Sequence, residues 1–385
     1  MPHTATHHTP GATSQRVEGQ VALGFEAVRE AFVENFARRH ELGGACSVFH
    51  RGDKVVDLWG GIRNKQTREP WERDTMVVIH SATKGLAAMT LAIAHARGWL
   101  DYEERVSTYW PEFAQQGKQR ITVRQLLAHQ AGLFAIDETV DRGVVADLDR
   151  LAAVLARQKP AWEPGTRQAY HALTLGFYEG ELLRRVDPQH RSLGRFFQDE
   201  IATPLGEDVY IRLPESLPNA RLATLSSPGA FRMLTGFPLP FMLEAMNKRS
   251  NIYRALEVNP GTGVYADPQR IVARELGLRQ ETLALLAAPA VPPARGFYDE
   301  CLKGDGVMFS LGFMKPGNVW RFGSPRAYGS PGSGGSLGFA DPETGVGYAY
   351  VTSQMGTALT GDARDIALRD ALDDALRVSA GAPAA

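Results

Sequence analysis

Ser81 and Lys84 stand three residues apart in Val78-Ile79-His80-Ser81-Ala82-Thr83-Lys84-Gly85, at the head of the run Leu86-Ala87-Ala88-Met89-Thr90-Leu91-Ala92-Ile93-Ala94. That run is apolar almost all round, the pattern of a buried helix. On one helix a spacing of three puts hydroxyl and amine on the same face, within reach of each other. A serine at a helix start is ordinarily an N-cap. The lysine argues for more, because an amine entering an apolar helix is costly unless it is paired or neutral. A neutral amine beside a serine hydroxyl is a general base beside a nucleophile.

A second serine competes. Gly334-Gly335-Ser336-Leu337-Gly338 fits the G-x-S-x-G elbow, which needs a strand before it, a helix after it and a later histidine. The last histidine of the chain is His190 and a strand pattern follows Ser336, so this serine is rejected as the nucleophile. The glycines of Gly329-Ser330-Pro331-Gly332-Ser333-Gly334-Gly335 lack the G-K-[ST] and G-x-G-x-x-G registers of phosphate loops. They fit a backbone that a ligand approaches closely. The ten histidines are scattered without ligand spacing, so no metal is expected. His129, in Leu126-Leu127-Ala128-His129-Gln130-Ala131-Gly132-Leu133, reads as a hydrogen-bonded structural residue. In Trp162-Glu163-Pro164-Gly165-Thr166-Arg167-Gln168-Ala169-Tyr170-His171, Pro-Gly breaks the chain and Tyr170 precedes a new helical pattern. A tyrosine set against a lysine can serve as a proton acceptor.

The elements that must position these groups follow from periodicity. Phe25, Val28, Phe32 and Phe36 predict an amphipathic helix within Val21–His40. Residues 45–50 and 55–61, joined by Arg51-Gly52-Asp53-Lys54, predict an antiparallel hairpin. The Ser81 helix should end near Arg97-Gly98. Helical segments then dominate: Val123–His129, Leu148–Gln158, Thr174–Val186, Leu193–Ile201, Gln269–Leu276 and Glu281–Ala287. Strands are expected at Val307–Phe313, Val319–Phe322, Leu337–Ala340 and Val346–Thr352, with a turn at Asp341–Gly345, before a helix from Ala363 to Val378. The order gives an α+β chain: a sheet lobe from residues 17–80 and 295–378, and a mainly helical lobe from 81–294 with the active site between them. Residues 1–16 and 379–385 read as tails.

With 385 residues, 44% of them hydrophobic and 22% charged, the chain has ample core, and a net charge of −1 gives no case for nucleic acid or an anionic membrane. No run reaches the roughly 18 apolar residues of a spanning helix. No apolar leader segment is evident at the start, and Cys46 and Cys301 form no pair pattern, so a soluble cytoplasmic protein with reduced thiols is expected. Monomer and homo-oligomer are equally compatible with the pattern.

Taken in order, these stretches resemble the serine β-lactamase and penicillin-binding-protein superfamily, most closely the family VIII carboxylesterases. Ser81-Ala82-Thr83-Lys84 resembles its S-x-x-K, Tyr170-His171-Ala172 its Y-x-N position, and Ser330-Pro331-Gly332 its third box on an edge strand. The steps of about 90 residues to Tyr170 and about 160 more to Ser330 are similar too, as are the L-L-x-H-x-x-G-L and W-x-P-G-T patterns. The resemblance, over roughly residues 20–378, implies a serine β-lactamase-like fold: an antiparallel sheet flanked by N- and C-terminal helices beside an all-helical lobe. It implies an acyl-enzyme on Ser81, with Lys84 and Tyr170 sharing acid and base roles, and no cofactor. The backbone N–H groups of Ser81 and Ser333 would form the oxyanion hole, each donor lowering the barrier by about 2.7–4 kcal/mol. Ser330, Gly332, Gly334, His171, Phe237 and Phe241 are the candidate pocket residues, the last two from the apolar stretch Met233–Leu243.

Two departures bear on substrate. Ser330 replaces the third-box lysine that would hold a carboxylate, and Ala172 replaces the asparagine that would bind an acyl-side amide. Both changes remove recognition of a charged amide and leave acyl transfer intact. A small-molecule substrate is therefore expected, a short, uncharged carboxylic ester. A β-lactamase or D-amino-acid peptidase or amidase on the same scaffold is the rival activity, and a non-catalytic binding homologue the rival of another class.

Overall fold

The computed structural model describes residues 16–229, 236, 237, 239–256, 279–358 and 361–381. Strands β1 (Val17–Val21), β2 (Gly43–His50) and β3 (Asp53–Gly61) precede the helical residues. Strands β4 (Met308–Ser310), β5 (Phe313–Lys315), β6 (Tyr328–Pro331), β7 (Leu337–Asp341) and β8 (Val346–Thr352) follow them. Together they form one antiparallel sheet in the order β1-β3-β2-β8-β7-β6-β5-β4. The two chain ends meet where β2 pairs with β8, Cys46 opposite Tyr350. β2 and β3 are joined by Arg51 and Gly52, both left-handed (φ 52° and 94°), the turn whose twist suits a two-residue hairpin.

Alternation along the strands gives the sheet two covered faces. On one, helix α1 (Glu26–Arg38) and the closing helix (Ala363–Gly381) set Val28, Phe32, Leu368 and Leu372 against Cys46, Val48, Leu58 and Tyr350. Asn35 of α1 donates to the Arg364 carbonyl at 3.2 Å and ties these helices together. On the other face lies helix α2 (Thr83–Ala96), packed with Phe313, Tyr328 and Val351 and with the helical segments. Nine of its fourteen residues are buried, Leu86 and Leu91 among them, which is why the segment is apolar all round. Burying each such leucine contributes roughly 1.5–3 kcal/mol.

Several elements are placed differently from expectation. β1 is an additional strand, its Val17–Val21 residues paired with Val56–Gly60. The single strand expected over Val307–Phe313 is a hairpin, β4 and β5, because Leu311 and Gly312 both turn left-handed (φ 52° and 86°). Val319–Phe322 forms no strand, and β6 lies further on. The expected helix Gln269–Leu276, nearly all of the N-terminal tail, the last residues of the C-terminal tail and residues 233–235 of the apolar stretch lie outside the described residues.

Candidate active site

Ser81 sits in a single helical turn, His80–Ala82, that runs directly into α2. It is not a cap: no side chain caps α2. His80 immediately before it is left-handed (φ 46°), a conformation that costs a non-glycine residue on the order of 1–3 kcal/mol and persists where its surroundings enforce it. One turn on, Lys84 Nζ donates to Ser81 Oγ at 3.1 Å and to the Ala172 carbonyl at 2.6 Å. Nζ also lies 4.9 Å from the centroid of the Tyr170 ring, over its face.

Tyr170 is held from three sides. Its ring stacks on Phe309 at 5.5 Å and meets His129 at 5.1 Å, and its N–H donates to Asp299 at 3.2 Å. Asp299 is buried and also accepts from the N–H groups of Cys301 (2.9 Å) and Leu302 (2.8 Å) and from the Gln168 side chain (3.3 Å). Burial pushes its carboxyl up while these donors pull it down. His129 Nδ1 accepts the His171 N–H at 2.9 Å, and His171 Nε2 accepts the Leu133 N–H at 3.1 Å while its Nδ1 faces the Ala169 carbonyl at 2.7 Å. Burial, chiefly, holds both imidazoles below their ordinary range, His171 at about 4, and Lys84 adds to the effect. His171 therefore lies beneath the site with both ring nitrogens engaged, and it does not line the cleft.

Across from Ser81 the glycine-rich loop packs against the turn that carries it. A Cβ on Gly332 would lie 2.1 Å from the Ile79 carbonyl oxygen, so only glycine allows this approach. Ser330 does not face the cleft either. Its hydroxyl donates to the Ser81 carbonyl at 2.8 Å, so Ser330 fastens the Ser81 turn to the sheet. Among the described residues neither the Ser81 nor the Ser333 N–H donates to a backbone acceptor. The loop is anchored from behind by Arg364, fully engaged in the interior, which donates to the Gly334 carbonyl at 3.0 Å, the Gln354 carbonyl at 2.8 Å and Asp362 at 2.8 Å.

Ser81 and Tyr170 open into a cleft of about 470 Å³, a size suited to a small molecule. Gly332, Ser333 and Gly334 form one wall; Phe237 and Phe241, stacked at 5.8 Å, and Ile252, Leu302, Met314 and Trp320 form much of the rest. Among the described residues no lysine or arginine lines the cleft. The two acids that reach the wall are already paired, Asp362 with Arg364 and Asp365 with Arg369, each at 2.8 Å. Nothing local in the sequence marks Asp299 or Arg364, and neither is among the residues expected at the site.

The beta-lactamase family model matches residues 28–373. The chain belongs to the beta-lactamase family. The chain is 30% identical to the esterase/beta-lactamase LipL of Mycobacterium tuberculosis, over 91% of this chain and 86% of that one. Among solved structures, a family VIII carboxylesterase shares 32% identity with a TM-score of 0.77, covering 94% of this chain and all of that one. EstA from Arthrobacter nitroguajacolicus shares 29% identity with a TM-score of 0.79, over 94% of this chain and 99% of that one. The expected serine β-lactamase-like α+β fold and the resemblance to family VIII carboxylesterases agree with these likenesses.

Proposed function

We propose that the protein hydrolyses short, uncharged carboxylic esters through an acyl-enzyme on Ser81. That it is a serine esterase of the beta-lactamase family rests on its esterase relatives; the residue roles and the substrate class are our reading of the site. Ser81 Oγ attacks the ester carbonyl carbon and its proton passes to the Lys84–Tyr170 pair. The tetrahedral oxyanion is received by the N–H groups of Ser81 and Ser333. Collapse breaks the C–O bond, the pair returns the proton to the leaving alcohol, and water repeats the sequence on the acyl-enzyme to release the acid.

The observation that carries the substrate class is the cleft wall, apolar and without a lysine or arginine, with both of its acids paired. Among its described residues such a wall offers no cation, apart from Lys84 at the Ser81 hydroxyl, for the carboxylate of a β-lactam or a peptide. Ser330, at the position where the family's lysine would stand, turns its hydroxyl to the Ser81 carbonyl instead. The unpaired, buried state of Cys46 and Cys301 supports a cytoplasmic location. No helix among the described residues is long and apolar enough to cross a membrane.

The test compares a short-chain nitrophenyl ester with a chromogenic β-lactam on the purified protein and on Ser81→Ala. Ester turnover is expected to fall roughly a thousandfold or more in the variant, with β-lactam turnover slow throughout. Ester turnover that survives the substitution would overturn the mechanism, and fast β-lactam turnover without ester turnover would favour the lactamase reading.

A further inference from the structure

A second acidic group lies beneath the nucleophile and takes no part in the acyl transfer itself. Glu179 is on the helix Leu175–Val186, which packs on α2, and it is wholly buried. Neither of its carboxyl oxygens has a hydrogen-bond partner among the described residues. Its place is made by Gly312, left-handed at φ 86°, where a Cβ would stand 3.0 Å from Glu179 Oε1 and 2.7 Å from the Ala88 methyl. Ala88 follows Lys84 by one turn on the same face of α2. The carboxyl therefore lies against α2 on the face that carries Lys84.

The charge that acts on Glu179 is that of Lys84. Tyr102, whose buried hydroxyl is also without a partner, is in turn affected by Glu179. Charged groups on the other packed elements are engaged elsewhere. Arg124 bonds Glu103, Arg157 bonds Glu138, Arg195 bonds Asp199, and His95 bonds Thr282 while stacking on Tyr102. His129 and His171 respond to Lys84 rather than to Glu179.

We propose that Glu179 is a positioning residue that acts on the Ser81 chemistry through Lys84, its own proton setting the charge that the amine faces. The inference rests on the assignment of Ser81 as nucleophile and Lys84 as a partner in its deprotonation. A buried carboxyl without donors is least costly when neutral, and burial raises this one to about 8 against the pull of Lys84. While Glu179 holds its proton, no anion beneath α2 favours an ammonium at position 84, and the amine is free to accept the Ser81 proton. Once Glu179 ionises, it stabilises the ammonium and opposes that step.

The experiment is the pH profile of ester kcat/KM for the full chain, for Glu179→Gln and Glu179→Leu, with Ser81→Ala as control. Glu179 is an anion only above about pH 8, so the wild type should show an alkaline limb as it ionises, and removing the carboxylate should move that limb to higher pH in both variants. At a fixed pH on that limb, turnover should be roughly tenfold faster for each pH unit by which the limb moves. A purely structural role would lower folded yield or thermal stability and leave the limb in place. Limbs that coincide with wild type in both variants overturn the proposal. A Ser81→Ala protein that still turns over overturns the parent assignment instead. Should either variant fail to fold, carbon NMR of glutamate-labelled wild type decides. A carboxyl titrating near neutrality supports the proposal, and its absence refutes it.

Discussion

Two buried polar regions flank the Ser81–Lys84 pair, and they differ in how far their polar groups are bonded. Beneath Tyr170, Asp299 accepts four hydrogen bonds, and His129 and His171 are joined by bonds through Nδ1 of one and N–H of the other. Beneath Lys84, the Glu179 carboxyl and the Tyr102 hydroxyl have no partner among the described residues. Apart from His129 Nε2 and Gln168 Oε1, which have no partner among the described residues, the network beneath Tyr170 is bonded throughout and holds geometry, since each of its members is costly to move. An unsatisfied carboxyl holds nothing in place and responds to its own protonation. The contrast assigns orientation of the tyrosine to the first region and the charge around the lysine to the second.

The sharpest way to break the comparison is Asp299→Ala. Three backbone N–H groups, those of Tyr170, Cys301 and Leu302, then lose their acceptor. Each unsatisfied buried donor costs about 1–3 kcal/mol, so denaturant unfolding should show a loss of about 3 kcal/mol or more, with a fall in kcat. Asp299→Asn keeps an acceptor oxygen and should lose much less. Equal losses in the two variants would mean that charge, and not the hydrogen bonds, holds Tyr170.

The contrast between the regions also marks what can be read in the chain. Ser81, Lys84 and Tyr170 are visible because local spacing and an all-apolar helix leave a lysine little to do but chemistry. The helices are visible through their period, and the β2–β3 hairpin through its turn residues. β1 is hidden because Val17–Val21 contains Gly19 and Gln20 and borders a tail of turn-forming residues. β4 and β5 are hidden because their turn falls at Leu311-Gly312, inside a run in which Ser310 is the one polar side chain between Val307 and Phe313. Ser330 and His171 read as pocket residues because a short polar side chain on a strand or loop does not declare its direction. In the folded chain they bond to the Ser81 carbonyl and to Leu133 and Ala169. Asp299, Arg364 and Glu179 act through partners distant in sequence, and no local pattern records that.

A smaller effect should separate the regions by pH. His171 is held at about 4 by burial, while in the unfolded chain an imidazole binds its proton at about 6.5. Between those values the unfolded state carries a proton that the folded state lacks, so this residue's stabilisation is present above pH 6.5 and is lost as pH falls toward 4. The loss per imidazole approaches about 1.4 kcal/mol per pH unit. His171→Asn should therefore show a shallower acid decline than wild type in denaturant midpoints taken across that window. Parallel declines would show that His171 is charged in the fold, and the network beneath Tyr170 would need another description.

The unsatisfied region should respond to pH with the opposite sign. Glu179 is raised to about 8 in the fold from an ordinary value of 4.5, so between these values the folded state carries the extra proton. Its contribution to stability is complete below pH 4.5 and is lost as pH rises through about 8. Glu179→Leu has no such loss, and it replaces an unpartnered carboxyl by a group that needs no partner. The variant should match wild type closely at pH 5 and then gain on it as pH rises, by up to about 1.4 kcal/mol per pH unit until about pH 8, read as the difference between two denaturation curves at each pH. An excess that grows with pH is what an unpartnered acid must give. A leucine variant that is weaker by the same amount at every pH would show that the carboxyl has a hydrogen-bonding partner after all, and the two regions would then follow one rule.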